Sequence, residues 1–297
     1  MSGRQSKFKH KVVLTGATSI VGPYLVNMLR NTDYRVFAIS RNAENHIEDG
    51  VAWLNLDLSK KNQFRQHFER IPVLIHLAPL PLLPERLSEL ADLEVKRIVA
   101  IGTTSRFTKA GSTSRLDREI VELQISAEQR LSYFCVNRNI ALTILRPTMV
   151  YDGMHDKNVT LIAKFISRFG FFPIVGAGAG RRQPLHAFDL ARACCDVLEN
   201  ETTYGRAYNI GGGQVLTYRD MVEKISIETN SKPRVIPIPL FIYRAVLSIL
   251  SLLPKYRYLT AEAANRINKD LVFDNTEAIQ DFGFKASPFS FREQRRF

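Results

Sequence analysis

A short apolar run, Lys11-Val-Val-Leu-Thr-Gly16-Ala-Thr-Ser19-Ile-Val-Gly22, passes without a break into a helical pattern. Strand, small-residue turn and helix start together make the front half of a dinucleotide-binding βαβ unit. Such a unit commits the chain to parallel strands, because its crossover returns the next strand in the same direction. Gly16 permits the tight turn. The peptide N–H groups of Thr18, Ser19 and Ile20 can face a pyrophosphate, and Gly22 lets helix and strand pack closely.

The rest of the first half keeps that rhythm, which predicts an α/β fold, a Rossmann-type doubly wound parallel sheet covered on both faces. The pattern predicts strands at about 11–15, 35–39, 51–55, 72–77, 97–101 and 141–145, and helices near 20–30, 60–70 and 115–137. In the third helix Leu116, Ile120, Leu123, Ala127, Leu131 and Phe134 recur at three- and four-residue spacing and are expected to face the sheet. After Arg146-Pro147 the alternation loosens into a helix near 158–169, a flexible turn Gly176-Ala-Gly178-Ala-Gly180, a helix near 187–199 and a strand at 206–210. The division this suggests is a dinucleotide-binding domain of residues 10–150 plus about 184–213, and a smaller, mainly helical substrate lobe of 151–183 plus 214–297. Residues 1–9 read as a disordered basic tail.

At 297 residues the chain is long enough for a large core. Its net charge of +12 points to an anionic substrate, an anionic surface, or simply solubility and basic ends such as Arg4, Lys7, Lys9, Arg292, Arg295 and Arg296. No recognition motif or interleaved aromatic–basic stripe supports nucleic-acid binding. Cys135, Cys194 and Cys195 make no disulfide framework and fit a reducing cytoplasm. Turn residues from Thr15 onward interrupt the first apolar stretch, which argues against a secretory signal. The run Ile238 to Leu253, followed by Lys255, Tyr256, Arg257 and Tyr258, suits a peripheral contact at the inner membrane face, a lobe core helix or a subunit contact. The six histidines are scattered, and no Cys/His pair has metal-ligand spacing.

Further cofactor positions follow from the fold. Ser40-Arg41 ends the second strand, where an arginine accommodates the 2′-phosphate of NADP and an acidic residue would select NAD, so NADP(H) is expected over NAD(H). The other reading is an exposed arginine opening a loop. Asp57-Leu58 follows the third strand within reach of an adenine amino group. Leu77-Ala78 ends the fourth beside the phosphates, and Thr103 belongs to a hydroxyl cluster at the carboxyl edge of the fifth.

Taken together, Thr15 to Gly22, Ile75-His-Leu-Ala78, Leu145-Arg-Pro-Thr-Met-Val-Tyr-Asp-Gly153, Arg182-Gln-Pro-Leu-His-Ala-Phe-Asp-Leu190 and Tyr208-Asn-Ile-Gly-Gly212 resemble the NAD-dependent epimerase/dehydratase family of extended short-chain dehydrogenases/reductases. The resemblance runs from about Lys11 to Phe289 and implies a nucleotide-sugar substrate. It implies that Arg182 grips the substrate diphosphate, the other reading being a surface arginine beside Arg181, and that Tyr151 lines the pocket, with packing its more expected role. Three departures stand out. Ser19 replaces a glycine, which is tolerable if its φ is negative. Ile120 and Gln124 occupy the positions of the family's proton-transferring Tyr and its Lys, leaving the proton to Thr103, a poor acid or base without an activated partner, to solvent or to a substrate group. The connection from Ala78 to Arg97 is short and proline-punctuated, which argues against the usual family dimer. His186 is expected to be structural, and Glu128 on the long helix to be solvated, helix-paired or facing the cleft.

Two functions follow. One is an atypical NAD(P)-dependent epimerase, dehydratase or reductase of a nucleotide-linked or lipid-linked sugar. The other is a non-catalytic dinucleotide-binding module, acting as a redox sensor or assembly subunit.

Overall fold

The computed structural model describes residues 10–229, 232, 234–243 and 266–291. The basic tails, and residues 244–258 of the apolar and aromatic stretch, lie outside the described residues. The main sheet is built from β1 (His10–Thr15), β2 (Tyr34–Ser40), β3 (His46–Glu48), β4 (Val51–Asn55), β5 (Val73–His76), β6 (Arg97–Ile101), β7 (Ala141–Pro147) and β12 (Arg206–Ile210). Its order is β12-β7-β6-β5-β1-β2-β4-β3. Every pairing is parallel except β3 with β4. Strand order reverses between β1 and β5, and that reversal opens a crevice at their carboxyl ends.

The strands read as near-continuous apolar runs because both faces are covered. Alternate residues divide between two cores. Val12, Leu14 and Ile75 pack with Leu25 and Leu29 of α1 (Gly22–Arg30) and with Leu190 and Cys194 of α7 (Ala187–Asp196). Val13, Leu74 and Ile98 pack with Phe64 of α2 (Gln63–His67) and with Leu131 and Cys135 of α5 (Arg115–Asn137). A third core joins α6 (Val159–Phe169) to α8 (Tyr218–Glu228) through Ile162, Ile166, Met221 and Ile225. Short pairings flank it: β8 (Val150–Tyr151) with β11 (Leu185–His186), β9 (Phe172–Val175) with β14 (Val235–Ile238), and β10 (Arg181–Arg182) with β13 (Leu216–Thr217). The last described helix, α9 (Thr276–Phe282), packs beside β12. No helix among the described residues is long and apolar enough to cross a membrane.

Three details differ from the sequence expectation. The helix foreseen near 60–70 spans only Gln63–His67. The antiparallel strand β3 was not foreseen, although Asp49-Gly50, both at positive φ, is a strong two-residue hairpin signal. The sheet-facing side of α5 is the largest correction. Ala127, Leu131 and Phe134 pack on the sheet as expected, but Leu116, Ile120 and Leu123 are exposed, and the first half of the helix buries Asp117 and Val121, with Glu128 and Cys135 buried further along. Two carboxylates turn inward because cations await them: Lys109 and Arg266 bind Asp117, while Arg106 and Arg146 bind Glu128. The connection after β5 forms two 3₁₀ turns and α3 (Leu87–Ala91), and Arg130 of α5 bonds Glu85 and the Pro84 carbonyl within it.

Candidate functional site

At the reversal of strand order lies a cleft of about 220 Å³. Gly16, Thr18, Ser19, Ser40, Arg41, Asp57, Leu58, Leu77 and Ala78 line it, joined by Pro79 and Leu82 from the short connection. Gly16 holds φ at +70°, and a Cβ there would stand 2.6 Å from the Ala78 nitrogen. A Cβ on Gly22 would meet the Ala17 carbonyl oxygen at 1.9 Å. Glycine is therefore required at both turns. Ser19 is not among the described non-glycine residues with positive φ, so the serine adds no strain. Its amide donates to the Gly16 carbonyl at 2.9 Å, and its Oγ accepts from Gly22 at 3.3 Å. The Thr18 and Ile20 amides are the donors that this turn leaves for an anion at the start of α1.

The loop from Leu77 to Pro79 is anchored through His76, which is fully buried at the end of β5. Its Nε2 lies 3.3 Å from the Pro79 carbonyl oxygen, and its Nδ1 lies 2.8 Å from Thr15 Oγ1. A carbonyl only accepts, so Nε2–H donates to it and the threonine hydroxyl donates to Nδ1. Burial pushes this imidazole from 6.5 down to about 4, so the ring is neutral at pH 7. The unfolded chain takes up the proton first. The contribution is therefore complete above about pH 6.5 and is lost as pH falls towards about 4, a loss of roughly 3 kcal/mol. Urea midpoints measured from pH 7 to pH 4.5 should fall more steeply for the natural protein than for His76→Gln. Parallel pH profiles for the two would remove this account.

Ser40 and Asp57 stand at the far rim of the cleft. Ser40 Oγ shares a 2.7 Å hydrogen bond with Thr18 Oγ1 and accepts from the Asn42 amide at 3.1 Å, tying β2 to the glycine turn. The Asp57 carboxylate accepts from Ser59 N and Ser59 Oγ at 3.0 and 2.8 Å. Those bonds, with the nearby Arg41 charge contributing less, hold its pKa below the usual aspartate value. Arg41 is exposed.

At the carboxyl edge of β6, Thr103 Oγ1 accepts from the Ser105 amide at 3.1 Å as the short α4 (Ser105–Thr108) begins. Ile120 is exposed on α5 and Gln124 is half-buried. Glu128 faces neither solvent nor an open cleft. Only 3% of its side chain is exposed, and it bonds Arg106 and Arg146. Sequence reasoning missed this cluster. Its available signal was Arg146 at the end of a predicted strand, beside a carboxylate one helical turn beyond Gln124.

Of the two residues tied to the substrate by resemblance, Arg182 has another use and Tyr151 takes its expected packing role. Arg182 is buried, and its guanidinium donates to the carbonyls of Arg181, Lys269 and Arg266 at 2.9, 2.7 and 2.5 Å while lying over the Tyr218 ring. It fastens the C-terminal segment instead of presenting itself to a ligand. Tyr151 belongs to the third core, donates to the Ser290 carbonyl at 3.2 Å and meets the rings of His186 and Phe289. His186 caps α7, its Nδ1 accepting from the Phe188 amide at 3.1 Å.

The sequence matches the profile of the NAD dependent epimerase/dehydratase family over residues 12–100 and 82–211. It is 24% identical over 307 residues to subunit 9 of the NADH dehydrogenase [ubiquinone] 1 alpha subcomplex of Arabidopsis thaliana, covering 94% of this chain and 75% of that protein. It is 22% identical over 268 residues to a UDP-glucose 4-epimerase of Vibrio cholerae, covering 80% and 81%. The structure of MoeE5 in complex with UDP-glucuronic acid and NAD superposes with a TM-score of 0.70 at 20% identity, covering 96% of each chain. The expected preference for NADP(H) is thereby corrected, since that solved relative holds NAD. Ser40 Oγ is already engaged, and the Asp57 carboxylate opposes a further negative charge beside Arg41.

Proposed function

Since the chain belongs to the NAD-dependent epimerase/dehydratase family, we propose that it binds NAD and exchanges hydride with a nucleotide-linked sugar. The observation that carries this reading is the glycine-shaped cleft at the reversal of strand order, where a Cβ on Gly16 would collide with the Ala78 backbone lining it. The residues present fit a dinucleotide. Gly16, Thr18, Ser19, Ile20 and Gly22 would hold its pyrophosphate, Ser40 and Arg41 face its ribose, Asp57 and Leu58 its adenine, and Leu77 and Ala78 the path toward nicotinamide. When bound, NAD supplies the hydride acceptor. Thr103 Oγ1 accepts from the Ser105 amide, so its O–H would remain free to hold a substrate oxygen, while the proton released as hydride leaves for NAD would pass to solvent water.

A second reading, a non-catalytic dinucleotide-binding subunit, is favoured by Ile120 and Gln124, neither of which can transfer a proton at neutral pH. Calorimetric titration with NAD and with NADP, followed by addition of UDP-glucose or UDP-glucuronic acid to the NAD-loaded protein, separates the two. The enzyme reading expects tighter binding of NAD than of NADP, and with a sugar nucleotide either the NADH absorbance band or a converted sugar nucleotide, with that signal lost in Thr103→Val. Binding of NAD with neither reduction nor chemical conversion of either sugar nucleotide, the latter read by chromatography, would establish the second reading.

A further inference from the structure

We propose that Arg106 and Arg146, braced by Glu128, form a subsite for an oxyanion on the sugar end of the ligand, of the kind a uronic-acid carboxylate presents. The inference rests on the nucleotide-sugar reading and names its substrate class. Two cations share one carboxylate, and indeed one oxygen of it. Arg146 donates from Nε and Nη2 to Glu128 Oε2 at 2.9 and 2.6 Å, and Arg106 donates from Nη1 to the same atom. Glu128 Oε1 is buried without a partner, pressed against Gly102, where a Cβ would come within 2.8 Å. The cluster therefore carries one positive charge in excess. Among the described residues, Nε and Nη2 of Arg106 and Nη1 of Arg146 donate to no protein acceptor.

The place suits a ligand. Arg146 lies near the end of β7, and Arg106 lies one turn after Thr103, with its amide donating to the Thr103 carbonyl at 3.4 Å. Both belong to the carboxyl edge of the sheet, where ligands sit in open α/β folds. Each arginine side chain is 17% exposed, reachable yet largely dehydrated, and that environment strengthens a charge-assisted hydrogen bond. Both guanidinium groups lie over the ring of Phe107, at 5.3 and 5.7 Å, and Phe107 in turn meets Phe273. Planar guanidinium forks held in this way match a carboxylate, whereas a neutral hydroxymethyl group would leave the excess charge unanswered.

Arg106→Gln is the informative substitution, because Arg146 remains to hold Glu128. NAD-loaded natural protein should bind UDP-glucuronic acid at least about tenfold more tightly than UDP-glucose by calorimetry. Arg106→Gln should bring the two affinities together and leave NAD affinity unchanged. Equal affinities in the natural protein, or a preference that survives Arg106→Gln, would overturn the subsite. Failure of both sugar nucleotides to bind, with NAD still bound, defeats the nucleotide-sugar reading instead. The subsite is then read separately by titrating inorganic phosphate against the arginine Nε–H resonances. Movement of the Arg106 signal supports it, and an unmoved signal overturns it.

Discussion

Gly22→Ala should abolish measurable NAD binding. The added Cβ would stand 1.9 Å from the Ala17 carbonyl oxygen and 2.4 Å from the Ala17 carbonyl carbon, so it meets backbone rather than a side chain that could swing away. The turn between β1 and α1 must open to admit it, which moves the helix start off the crevice. Overpacking against a side chain typically costs about 1–3 kcal/mol, and a backbone collision lies at or above that range. An affinity loss of at least about a hundredfold is expected, equivalent to roughly 2.7 kcal/mol. Gly111→Ala is the matched control: nothing lies within 4 Å of its Cβ position, and neither NAD binding nor stability should change appreciably. Binding of NAD by Gly22→Ala within about threefold of the natural protein would place the dinucleotide elsewhere.

Arg97→Met should cost about 3–5 kcal/mol of stability and leave NAD binding in the folded fraction unchanged. Arg97 begins β6, at the end of the sheet away from the cleft, and its guanidinium is buried. It donates to the carbonyls of Val197, Leu198, Ile98 and Ala141 at 2.7–3.1 Å, and to Thr143 Oγ1 at 2.8 Å. The ring of Tyr204 lies 4.6 Å beneath it. Val197 and Leu198 follow α7 directly, so Arg97 satisfies carbonyls at the negative end of that helix. Burial lowers the guanidinium pKa to about 10, which still leaves it charged at pH 7. Methionine fills much of the volume but donates nothing, and the orphaned acceptors are what make the loss large. Thermal unfolding should shift down by on the order of 10 °C. A loss below about 1 kcal/mol would mean that water replaces the guanidinium there.

Each part of the site was legible to a different degree. The glycine turn, the Asp57-Leu58 pair and Leu77-Ala78 could be read in advance, because each rests on a few neighbouring residues and the known ends of adjacent strands. Asp49-Gly50, at positive φ in the β3–β4 hairpin, is a local turn signal of the same kind. A single arginine after β2 misled the cofactor expectation, since the opposing Asp57 carboxylate reaches that rim from a different strand. Leu116, Ile120 and Leu123 misled the orientation of α5 for a related reason. Apolar spacing ranks residues by transfer energy alone and cannot register that Asp117 and Glu128 have cations waiting inside.

The sequence by itself determined the parallel α/β architecture, the place of the cleft at the reversal of strand order and the glycines that shape it. These depend on local periodicity and on backbone sterics within one turn. The tertiary structure alone decided what the arginines do. Arg182 is spent on carbonyls of residues 266 and 269, Arg97 on carbonyls after α7, and Arg106 and Arg146 on a shared carboxylate that leaves their remaining donors unengaged. A guanidinium has five donors and a long reach, so its partners are set by whichever acceptors the folded chain brings within 3 Å of it, however far away in sequence they lie.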